Sequence, residues 1–323
     1  MSDSDLTPTP NILGESEPPE RVPPENRARK IFVGPQGIRA GWRLLLYLLM
    51  AAAIALVLGF IVQQHQLHGA LRLWLEATQE GMLIVAVFIP AFIMARVEKR
   101  SFGDYGLKPR QAFGKLFWLG WLWGLVAITS LLAAIGGLNG FSFGHLALHG
   151  LRILKFAAFW GLFFLLVACF EEFLLRGYTQ FTLTDAIGFW PAAAILSAVF
   201  GALHGGNSGE AWIGLVSAAL IGFFFCLTLR RTGSLWFAIG FHQAFDWGET
   251  FLYSVPNSGT VEPGHLLNSS FHGPRWLTGG SVGPEGSVFV FLMIAALWIL
   301  FDRMYPRARY SVVSPPTLLK AES

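Results

Sequence analysis

Glu171 and Glu172 stand side by side at the end of an apolar run, Phe156–Phe170, that holds no charged residue. Arg176 follows four residues after Glu172, and later apolar segments carry His204 and the pair His242/Asp246. Acid, base and cation chemistry therefore sits where a lipid-embedded chain bears a high cost for it, a few kcal/mol per charge on insertion scales. On a helix, Glu172 and Arg176 are i,i+4 and share a face, while Glu171 points about 100° away. One carboxylate is then neutralised by the guanidinium and the other stays available. His242 and Asp246 repeat the i,i+4 spacing. Such a set suits peptide hydrolysis, which needs a water stripped of a proton, a stabilised oxyanion and a proton for the leaving amine. Glu171, His204 and His242 also match the ligand types of a catalytic zinc site with an open position for water. No HExxH occurs, so this is not a zincin helix, and the residues leave metal-bound and metal-free chemistry both open.

Each of these residues also has a plainer reading. A Glu–Arg pair inside a membrane helix can simply fasten a bundle, and a lone intramembrane histidine often bonds a backbone carbonyl. Glu171, however, has no partner left in its own segment. The recurrence of ionisable groups in three separate spans favours a shared site, because each is costly by itself. His265 and His272 lie in a long loop and are expected to be solvated, and Asp185 and Arg230–Arg231 read as loop charge.

The elements that position these residues are transmembrane helices. Hydrophobic residues make up 54% of the 323-residue chain and charged residues only 13%, with mean hydropathy +0.52. A soluble domain carries roughly a quarter charged residues. The fold class expected is all-α, a polytopic transmembrane bundle of about eight spans. These lie near 42–62, 81–95, 116–135, 153–172, 191–204, 212–229, 235–253 and 288–301. Residues 1–40 are Pro- and Glu-rich and are expected to be disordered and cytoplasmic. Residues 41–150 form the N-terminal helices, 151–260 the core that holds the chemistry, and 261–323 an outer loop, the last helix and a tail. Cys169 and Cys226 fall in apolar runs and read as packing residues without a disulfide. The net charge of +3, spread over loops, gives no case for nucleic acid.

With the N-terminus inside, nineteen of the 23 Lys and Arg fall in cytoplasmic segments, leaving only Arg72, Arg152, Lys155 and Arg275 outside. That asymmetry places both termini in the cytoplasm and fits an even number of spans. The protein is expected in a bacterial-type inner or plasma membrane.

The patterns EExxxR (Glu171–Arg176), FxxxH (Phe200–His204) and HxxxD (His242–Asp246), in this order on successive apolar segments, resemble the CPBP family. This is the group of type II CAAX prenyl proteases and related intramembrane enzymes, and the resemblance covers about residues 150–260. It implies an intramembrane endopeptidase in which Glu171 and His204 activate water and His242, with the residue at 246, stabilises the oxyanion or binds metal. Glu172 and Arg176 form a supporting ion pair. Peptide or protein substrate would enter from the membrane or cytoplasmic side. Many relatives carry asparagine where this chain has Asp246. An ionised aspartate cannot donate to an oxyanion, so it suits orientation of His242 or support of a metal-bound His242. Two other classes remain: a non-catalytic binding or immunity protein of the same fold, and a transporter, for which internal repeats would be expected and none is apparent. One geometric difficulty stands. Glu171 lies near the cytoplasmic end of its span, while His204 lies about 20 Å along its helix from that side at 1.5 Å per residue.

Overall fold

The computed structural model describes residues 31–34, 37–63, 70–206 and 212–310, so most of the segment expected to be disordered lies outside the described residues. The chain divides into two units, 1–39 and 40–323. In the first, Val33–Gly34 pairs antiparallel with Gly37–Ile38. The second is a bundle of α-helices.

Helices α1 (Ala40–Gln63), α2 (Ala70–Val97), α3 (Lys115–Gly137) and α4 (Leu151–Arg176) are followed by the short α5 (Tyr178–Ile187). Then come α6 (Phe189–Leu203), α7 (Trp212–Thr232), α8 (Trp236–Trp247), the single turn α9 (Arg275–Thr278) and α10 (Phe289–Met304). Among the described residues six helical stretches are long and apolar enough to cross a membrane, 40–62, 72–97, 115–137, 151–187, 189–206 and 212–232. Helices α8 and α10 stand at the seventh and eighth expected spans but have 12 and 16 residues, fewer than the ~20 of a perpendicular span. A π-helical stretch, Gly248–Tyr253, prolongs α8. Outward-facing Leu49, Leu56 and Phe60 on α1 give that helix the bare apolar surface lipid requires.

The boundaries moved for identifiable reasons. Helix α2 starts eleven residues before the expected 81, because Glu76 and Glu80 turn to an internal cavity rather than ending the span. Asp185, read as loop charge, lies on α5 and pairs with Arg43 at 3.0 Å and Arg100 at 3.4 Å. Glu98 receives Arg43 at 2.9 Å and the Tyr178 hydroxyl at 2.5 Å, so one polar knot ties α1, the end of α2 and α5 together. Arg230 and Arg231 are the last turn of α7, where they donate to the carbonyls of Tyr310 and Pro306.

Helix α8 is pressed against α3 by three glycines. A methyl group on Gly120, Gly124 or Gly240 would collide with the carbonyl oxygens of Phe237, Phe241 and Phe117 respectively. Small residues four apart let two membrane helices meet backbone to backbone. On its other side α8 donates from Gln243 to the Gly161 carbonyl at 3.2 Å and from Trp247 to the Ala157 carbonyl at 3.0 Å, both on α4. The long connection after α8 is built rather than loose. Ser270–Phe271 pairs antiparallel with Phe141–Ser142, Leu267 bridges Leu146, and His265 and His272 bond locally to the Glu262 carbonyl and Ser270. Cys169 and Cys226 are both free.

Candidate active site

Helix α4 carries Glu171, Glu172 and Arg176 on its last two turns. Glu172 and Arg176 are fully buried and joined at 3.1 Å. The guanidinium lies 4.3 Å from the centre of the Phe200 ring, a cation–π contact that supports a cation taken out of water. Gly222 of α7 leaves the room it needs, since a Cβ there would strike its Nη2 atom. Glu172 also reaches a second partner. The same Oε1 atom accepts from Nδ1 of His242 at 3.1 Å.

His242 stands among three carboxylates. Its Nδ1 faces Glu172, and its Nε2 lies 3.3 Å from Asp246 and 3.7 Å from Glu171. Neither contact is satisfied by a ring nitrogen without hydrogen, because ionised carboxylate oxygens only accept. The doubly protonated imidazolium satisfies both sides. Glu171 differs from its neighbour in being 29% exposed and in having only that longer contact, so its lone pairs face open space.

His204 ends α6. Its Nδ1 is 2.8 Å from the Phe200 carbonyl, which can only accept, so Nδ1 carries a hydrogen and donates it there. Glu171, His204, His242 and Asp246 all line one cavity of about 780 Å³. Glu171 and His204 meet at this cavity although α5 separates their helices. The 10 residues of α5 add about 15 Å of helix between α4 and α6 at 1.5 Å per residue, so α6 need not begin at the level where α4 ends. Among the described residues no group of three or more His, Cys, Asp or Glu is arranged to hold a metal ion. Glu171, His204 and His242 share the cavity.

Sequence reasoning did not reach two parts of this site. Nothing in the spacing tied Glu172 to His242, which lies 70 residues away. Glu249 and Glu285, which line the same cavity, were passed over, although Glu249 sits three residues past Asp246 on the continuation of α8.

A lipid-exposed helical bundle enclosing a carboxylate–imidazole cluster defines an integral membrane protein with a buried site for acid–base chemistry. Residues 153–248 match the family described as type II CAAX prenyl endopeptidase Rce1-like, so this segment is similar to the CAAX-protease-like membrane proteins of the CPBP family. The match runs from the start of α4 to the end of α8 and includes all seven residues of the three motifs. Neither the curated proteins nor the solved structures gave a match.

Proposed function

We propose that this protein hydrolyses a peptide bond inside the α4–α6–α8 cavity, with Glu171 as general base. The observation that carries the reading is the contrast between adjacent carboxylates: Glu172 is buried and consumed by Arg176 and His242, whereas Glu171 faces the cavity with free lone pairs. A water between Glu171 and Nε2 of His204 gives its proton to Glu171 and attacks the carbonyl carbon. The carbonyl π electrons move to oxygen. The Nε2–H of His242 donates to that oxyanion, an interaction stronger in the transition state than in the ground state. Glu171 then returns its proton to the amine as the C–N bond breaks, leaving a carboxylic acid and a free amine.

Arg176 and Glu172 touch no reacting atom and act as positioning residues. They hold the His242 ring in place and balance its charge. Asp246 lies beside the same Nε2 and competes with the oxyanion for its hydrogen, so it favours the imidazolium at some cost in donor strength. Zinc, the alternative suggested by residue type, would be held by Glu171, His204 and His242 and would supply a Lewis acid and an activated water there.

Glu171→Gln tests the assignment. The variant should fold with the wild-type thermal transition and lose roughly 10²–10⁴ in kcat, the usual contribution of a positioned base. Cleavage assays of the purified protein on peptides, run with and without chelator and followed by elemental analysis, complete the test. Wild-type turnover by the Gln variant, or activity that vanishes with the chelator and returns with zinc, would remove the mechanism.

A further inference from the structure

The cavity extends past the catalytic cluster, and its far end is acidic. Glu76, Glu80, Glu249, Glu262 and Glu285 line it together with Glu171 and Asp246, and no Lys or Arg among the described residues does. Two of the five are already balanced at the rim, where Arg72 lies 2.6 Å from Glu76 and 3.9 Å from Glu262. Glu249 and Glu285 are different. Their carboxyl groups are in hydrogen-bond contact with each other, which requires a shared proton, and among the described residues no Lys or Arg is paired with either. Glu249 is 1% exposed and its Oε1 has no hydrogen-bond partner, as is also true of Oε2 of Glu285. Oε1 of Glu285 accepts from the backbone N–H of Ser258, so that side chain is held in place with its other oxygen unused. Burial pushes the Glu285 carboxyl up to about 7.

One shared proton engages a single oxygen of each carboxyl, which leaves Oε1 of Glu249 and Oε2 of Glu285 without a donor on the cavity wall. Two carboxyl oxygens without partners, fixed side by side at the edge of a void, are the complement of a cation. Glu249 lies seven residues past His242 on one continuous helical run, about 10 Å along its axis. An extended peptide covers about 3.3 Å per residue, so that distance corresponds to about three residues.

We propose that the Glu249–Glu285 pair is the subsite for a cationic side chain of the substrate, placing a lysine or arginine about three residues from the scissile bond. The reading rests on the hydrolytic site proposed above. The shared proton leaves to solvent as the ammonium or guanidinium enters, and two buried carboxylates then face one cation with the rest of the acidic wall behind them. The rim Arg72, held by Glu76 and Glu262, keeps the entrance itself from being a second cation trap.

The experiment uses the full chain in detergent and peptides that carry lysine, arginine, norleucine, glutamine or glutamate at each of four positions on either side of the bond. Cleavage is read as kcat/KM, and binding is read separately by fluorescence anisotropy with the Glu171→Gln protein. Lysine or arginine at one position, two to four residues from the bond, should exceed norleucine there at least tenfold in both readings. Glu249→Gln with Glu285→Gln should abolish that ratio, and Glu285→Lys alone should turn it toward glutamate. A ratio near one in the wild type, or a ratio unchanged in the folded variants, overturns the subsite. Where the double variant does not fold, Glu285→Lys decides by the same ratio. Selective binding of cationic peptides with no cleavage by any protein would keep the subsite and overturn the hydrolytic reading, so the two fail separately.

Discussion

Replacing Glu172 by glutamine separates what the two adjacent carboxylates do. Arg176 would be left fully buried without its counter-ion, a change that typically costs about 3–5 kcal/mol. His242 would at the same time lose the acceptor at its Nδ1. Glu172→Gln is therefore expected to unfold at a distinctly lower temperature and lose activity, whereas Glu171→Gln loses activity alone. A stable, inactive Glu172 variant beside an active Glu171 variant would exchange their roles. Asp246 gives a sharper test of mechanism. In the proton-only scheme Asp246→Asn removes a competitor for Nε2 of His242 and preserves or raises kcat/KM at neutral pH. In a zinc enzyme the same change would weaken metal affinity roughly 10–100-fold and lower activity with it. Metal content and kcat/KM measured on the same preparation distinguish these outcomes.

Helices, unlike single residues, are placed by contacts that one-dimensional patterns carry weakly. The apolar runs located all eight long helices to within a few residues except α2, whose first turns contain Glu76 and Glu80. Charge that faces a cavity looks, in sequence, like charge at the end of a span. The connection at 178–187 was invisible as an element because α5 mixes Thr, Gln and Asp with apolar residues and buries six of its ten side chains against other helices. The motif residues were legible from type and spacing, since i,i+4 pairs are local; the Glu172–His242 and Glu249–Glu285 contacts join distant segments and were not. The close approach of α3 and α8 did leave a trace in Gly120 and Gly124, four apart in an otherwise bulky helix. It yields a prediction. Gly124→Val drives a branched side chain into the Phe241 carbonyl, next to His242, and should both lower the melting temperature and cut kcat by at least tenfold. Gly137→Val, on the same helix where a Cβ meets nothing within 4 Å, should do neither.

At the scale of the molecule, the distribution of Lys and Arg predicts which ends of the helices face which compartment. We expect Gln111, between α2 and α3, on the cytoplasmic side and Val261, in the connection after α8, on the opposite one. Both side chains are exposed. Single cysteines at these positions, in a protein with Cys169 and Cys226 replaced by alanine, report the orientation to a membrane-impermeant thiol reagent on intact cells. Labelling of Val261→Cys at once, and of Gln111→Cys only after permeabilisation, is the expected pattern; the reverse would invert the whole bundle.

The small ladder between 141–142 and 270–271 has a consequence for when the site comes into being. It holds together stretches more than a hundred residues apart, as in the bond from Ser269 to the Phe143 carbonyl 126 residues away, and every motif residue lies on the chain between them. Contacts of such long sequence separation form late, because the closure entropy of the intervening loop comes before their reward. A ribosome that has delivered α4 to the membrane has exposed Glu171 but not His242, and one that has delivered α8 has not yet made the strand that fastens the outer connection. The half-made chain thus carries Glu171 without His242. The cavity that gathers Glu171, His204 and His242 is therefore complete only after α8 and the strand at 270–271 have both been made.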